Sequence, residues 1–155
     1  MWNRKRSVTL SIIVCFIFVA ILTAVVFSGP WLVEMWFSLY RGWKLGLTAM
    51  KTIITIFCAC FYPCSVFAYI TLYSLIRLLF NIKREEIFIT KNVRYLRRIT
   101  WCCFAVALIT FVGGIFYLSF IFIAIAAAFV GLMLRIIKNV MQNAVEISEE
   151  NKLTI

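Results

Sequence analysis

Residues 77–100, RLLFNIKREEIFITKNVRYLRRIT, form the one long charged interval between two strongly apolar halves of the chain. Seven Lys and Arg stand there against Glu85 and Glu86, leaving +5 over a short stretch. On either side lie apolar runs longer than the roughly 18 residues that mark a bilayer-crossing helix. The interval therefore separates two membrane hairpins. A hydrophobic content of 65% and a mean hydropathy of +1.02 exclude an ordinary soluble domain.

Working outward toward the N-terminus, Val8 to Ser28 carries no charge and follows Arg4, Lys5 and Arg6. Its length as a helix is about 31 Å, close to the hydrocarbon thickness of a bilayer. The apolar core of a secretory signal peptide spans only about 7–15 residues, so this run reads as a retained signal-anchor span. Gly29 to Lys51 is the first external connection, with Pro30 suited to a first helical turn and Ser28 to its cap. Leu32, Met35, Trp36, Leu39 and Trp43 recur there at helical spacing, which predicts a short helix lying on the outer membrane surface. The second span, 52–76, contains Pro63 and is expected to kink there.

Toward the C-terminus, Trp101 to Leu134 holds no charge. A single helix of that length would measure about 51 Å, too long for one crossing and sufficient for two. Equal division places the turn near Tyr117–Phe120 and leaves Gly113 and Gly114 inside the third span. The expected spans are thus 8–28, 52–76, 97–117 and 120–138. In the fourth, Ala124/Ala128 and Ala127/Gly131 are small-xxx-small pairs that permit close helix approach, either within the bundle or with a second copy. From Arg135 the apolar stripe Ile136, Ile137, Val140, Met141, Ala144, Val145 predicts that this helix continues beyond the bilayer.

The fold class that results is all-α, one domain over residues 1–155: an integral membrane bundle of four transmembrane helices in two hairpins. Its orientation follows from charge. With the N-terminus inside, Arg41, Lys44 and Lys51 lie outside and the other thirteen of the sixteen Lys and Arg lie inside. The positive-inside rule then puts both termini and the 77–100 interval in the cytoplasm, as in a multi-pass protein of a cytoplasmic membrane. The same bias accounts for the net charge of +10 without direct nucleic-acid binding.

Chemistry is sparse. The chain has no His and no Asp, which removes the commonest general base and metal ligand. Its six Cys (15, 58, 60, 64, 102 and 103) all fall in apolar runs and read as small buried residues. No charge lies near the middle of a proposed span, and Glu34 is the lone external acid. No catalytic, metal or cofactor site is assigned, and the protein is not read as an enzyme. Two surfaces remain. Lys83, Arg84, Lys91, Arg94, Arg97 and Arg98 form a cytoplasmic contact for anionic lipid or for a partner, opposite the acidic tail residues Glu146, Glu149 and Glu150. Thr90 is expected to cap the helix that leads into the third span, and the acidic tail to dock on the basic connector. The external face offers Trp31, Trp36, Tyr40 and Trp43.

Two stretches carry a family likeness. Residues 87–99, IFITKNVRYLRRI, resemble the F-T-x-x-N-x-x-x-L-R-x-I connector of a bacterial family of unknown function, number 2975. The end of the chain, EENKLTI, is similar to that family's K-E-E-N-D-L-T-I-like tail, with Lys152 where Asp is usual. The resemblance implies a small four-span membrane protein without an assigned activity. It also implies a membrane partner for a small helix-turn-helix regulator, because similar proteins are often encoded beside one. The leading expectation is a non-enzymatic membrane protein that binds such a transcription regulator. The alternative is a bacteriocin-immunity or transport-accessory protein acting through the external Trp-rich segment.

Overall fold

In a computed structural model the chain is described over residues 4–41, 47–116 and 118–153, with side chains over 6–29, 31–35, 39, 51–52, 54–116 and 118–150. The described residues contain four helices in chain order: α1 (Arg4–Arg41), α2 (Leu47–Lys83), α3 (Thr90–Gly114) and α4 (Ser119–Leu153). Each contains a segment long and apolar enough to cross a membrane: Arg6–Gly29, Ile54–Lys83, Thr90–Gly114 and Ser119–Glu150. The protein is an all-helical, multi-pass membrane bundle.

Consecutive helices are antiparallel neighbours, as their side-chain contacts record. Between α1 and α2, the Thr23 and Tyr69 hydroxyls are 2.8 Å apart, and Gly29 stands against Phe61. Between α2 and α3, Asn81 meets Asn92 at one end and Cys60 meets Gly113 at the other. Between α3 and α4, Thr90 meets Glu149, Phe104 packs on Gly131, and Gly114 lies against Ile121. Among the described residues, close backbone packing is confined to these chain neighbours. The helices therefore form an arc with α1 and α4 at its two ends.

Three boundaries differ from expectation. The separate surface helix expected after Gly29 is instead the continuation of α1, which runs through Gly29 and Pro30 to Arg41. Ser28 does not cap anything; its hydroxyl donates to the Ala24 carbonyl at 2.8 Å, as a serine inside a helix does. A proline deprives a helix of one backbone bond, whereas a break near the hydrocarbon would leave several groups unsatisfied, so continuation is the smaller cost. α2 likewise passes through Pro63, and both its ends overrun the expected 52–76 span. α3 starts at Thr90 rather than 97 and stops at Gly114, with a turn at Ile115, Phe116 and Leu118 before α4.

The two glycines thus end α3 rather than sitting inside it, and packing explains them. A Cβ on Gly114 would come within 2.5 Å of Ile121 Cγ1, and one on Gly113 within 2.9 Å of Cys60 Sγ. Without side chains there, α2 and α4 both approach the end of α3 closely. Phe57 of α2 and Phe120 of α4 complete the contact, with ring centroids 5.8 Å apart. The α4 small residues are also used inside the chain: Ala124 is buried, and Gly131 faces Cys103 and Phe104.

Candidate functional site

The 77–100 interval is a folded junction. α2 ends in a Schellman-type closure, in which the Glu86 amide donates to the Asn81 carbonyl at 3.1 Å and the Glu85 amide to the Ile82 carbonyl at 3.1 Å. Such a closure needs one residue in the left-handed region, where glycine is the usual choice. Here it is Glu85, with φ 66°. The chain then extends through Ile89 (φ −126°, ψ 144°), which is the residue preceding α3.

Thr90 is the first helical residue and caps nothing, because its hydroxyl donates to Glu149 Oε1 of α4 at 3.2 Å. The connector is held instead by Asn92, whose side chain is completely buried. Its Nδ2 donates to the carbonyls of Glu86 and Ile87, both at 2.8 Å, and its Oδ1 accepts from Asn81 Nδ2 at 2.7 Å. One amide therefore ties the end of α2, the loop and the start of α3 together. Around it Leu78, Val93, Leu96, Ile99 and Val145 are buried, giving three helices a common core.

Outside that core, Lys83, Arg84, Lys91, Arg94, Arg97 and Arg98 are all exposed. Arg77 is exposed too and leans on its own helix, its Nε donating to the Tyr73 hydroxyl at 3.2 Å and its guanidinium carbon 5.7 Å from that ring's centroid. Trp101, 70% exposed, marks the aromatic boundary just past Arg97 and Arg98. Lys91 and Arg94 lie about 10–15 Å beyond it along α3. The tail acids Glu146, Glu149 and Glu150 are exposed on α4. Glu149 reaches the connector through a threonine hydroxyl, and Gln142 Nε2 donates to Glu146 Oε1 at 3.1 Å.

On the other expected surface, Trp31 is exposed on α1. The side chains of Trp36 and Tyr40, and Trp43 altogether, lie outside the described residues.

Sequence reading missed two features. Asn92 lies on the same inward stripe as Val93, Leu96 and Ile99, and a polar residue on an apolar stripe is the signal that points to a buried network. The other is a hollow of about 590 Å³ inside the arc, at mid-depth of the helices. Phe18, Leu22 and Val25 wall it from α1, Ala68 and Leu72 from α2, Cys102 and Val106 from α3, and Ala127 and Val130 from α4. Phe18, Ile21, Ile123 and Val130 line it while remaining about half exposed, so it opens sideways between α1 and α4.

The sequence profile described as "Protein of unknown function (DUF2975)" matches residues 44–155, well over half of the chain. The chain belongs to the DUF2975 family. The match takes in α2, α3 and α4 with the connector, and leaves out α1. No curated protein and no solved structure matches the chain.

Proposed function

We propose that this DUF2975 protein is a non-enzymatic membrane protein whose connector end is a docking platform for a cytoplasmic protein. The observation that carries the reading is the build of the junction. A loop fixed by Asn92 and by the α2 closure holds exposed cations at the connector end on a common three-helix core. A segment serving only as an anchor of orientation needs the charges but not the buried amide lock. The thirteen-to-three distribution of Lys and Arg supports a cytoplasmic location for this end and for both termini. The absence of His and Asp from the chain supports a role without acid–base chemistry.

Exposed cations suit a partner with an acidic surface, and the family resemblance implies a small helix-turn-helix regulator. A photo-crosslinking residue placed at Lys91 in native membranes tests this. The expected product is a soluble DNA-binding protein, lost when Arg94 and Arg97 are both changed to Glu. Recovery of no such protein, or equal recovery from a crosslinker placed at Trp31, overturns the reading.

A further inference from the structure

The hollow inside the arc has a charge pattern at one end that its apolar walls do not explain. In α4, Ala127, Val130, Leu134 and Lys138 follow one another at three- and four-residue steps, so Lys138 continues the face that lines the hollow. Lys138 is half-buried on that face. In α3, Arg98 is exposed one turn before the lining residue Cys102. The register set by Gly131 against Phe104 and Glu149 against Thr90 puts Arg98 and Lys138 at the same height on adjacent helices. That height is about 6 Å past Cys102 and about 12 Å past Val130, toward the connector end.

Two cations thus stand over one end of an apolar hollow, and neither has an anionic side chain bonded to it among the described residues. A volume near 590 Å³ lies in the range of hollows that enclose a small ligand. A hollow open sideways between α1 and α4 is entered from the bilayer. The molecule there that joins an apolar chain to an anion at the right depth is a phospholipid.

We propose that the hollow holds an acyl chain of one anionic phospholipid, whose phosphate lies between Arg98 and Lys138. Basic groups between membrane helices at a charged leaflet recognise anionic headgroups in this way. The site makes no use of Lys91 or Arg94 and stands apart from partner docking.

The test reconstitutes the protein in vesicles of equimolar phosphatidylglycerol and phosphatidylcholine, extracts it in mild detergent and weighs it by native mass spectrometry. One retained phosphatidylglycerol per chain is expected. R98Q with K138Q should reduce the preference for phosphatidylglycerol over phosphatidylcholine about tenfold. Ala126→Trp, at the exposed mouth of the hollow, should reduce retention of both lipids, while K91Q with R94Q leaves retention unchanged. Thermal unfolding of each variant at the wild-type temperature establishes that the fold is intact. Retention in the vesicle ratio by the wild type, an unchanged preference in the double variant, or a second copy of the chain in place of lipid overturns the proposal.

Discussion

At the connector end three helices meet around a buried amide, and at the end of α3 three helices meet around two glycines. The first junction has directional bonds: Asn92 to Asn81 and to two loop carbonyls, with Thr90 to Glu149 outside. The second has shape alone, as Cys60, Phe57, Phe120 and Ile121 close over backbone where a Cβ would not fit. Lipid tails are as apolar as leucine, so within the bilayer burial does little to drive helices together. Close approach supplies dispersion instead. Near the membrane surface water competes for every polar group, and a connector keeps one conformation only if its own backbone bonds are satisfied internally. The two ends thus solve the same joining problem with the chemistry each environment favours.

The comparison breaks most severely at Asn92. Asn92→Leu keeps much of the volume but leaves Asn81 and two loop carbonyls without a partner. A loss of about 2–4 kcal/mol is expected in denaturant titration of the detergent-solubilised protein. A loss under about 1 kcal/mol would mean that water replaces the amide and that the lock is loose. At the other end Gly114→Val drives a side chain into Ile121, and about 1–3 kcal/mol should be lost by overpacking. Here a compensating change separates shape from chemistry. Gly113→Ala should be less harmful when combined with Cys60→Ala, with a coupling of about 0.5–1 kcal/mol in a double-mutant cycle. Additive effects would show that Cys60 does not set the α2–α3 distance.

Smaller effects sharpen the connector. Glu85→Gly relieves the left-handed strain at φ 66° and should stabilise by about 0.5–1 kcal/mol, read as a higher unfolding midpoint. Thr90→Val removes an exposed bond to Glu149 and should cost only a few tenths of a kcal/mol. Its informative readout is faster proteolysis of the α4 tail. Unchanged cleavage would mean that buried Val145, rather than the hydroxyl, holds the tail down.

Much of the architecture is legible in the residues alone. The apolar runs Val8–Ser28, 52–76 and Trp101–Leu134, the last long enough for two crossings, are enough to imply four crossings and two hairpins on either side of the basic interval, and the extension of α4 past Arg135 follows from its continuing stripe. Helix ends were less legible. Ser28, Pro30 and Thr90 carry good local cap chemistry, yet α1 runs on and Thr90 bonds a different helix. A cap signal states what a residue can do, and the neighbouring helices decide whether it does so. The tail touches the connector at Thr90 and Glu149, a hydroxyl contact that the opposite charges of the two segments do not foretell.

The sequence by itself determined that the protein crosses a membrane four times, because crossing depends on a sum of transfer energies over about 20 consecutive residues. It also determined that these residues offer little acid–base chemistry, since His and Asp are simply absent. Only the tertiary structure decided that Asn92 joins two helices and a loop, that the glycines end a helix, and that faces of all four helices wall one apolar hollow. These features depend on which faces of separate helices meet and in what register. Almost every face here is apolar, so hydropathy alone does not choose among the pairings.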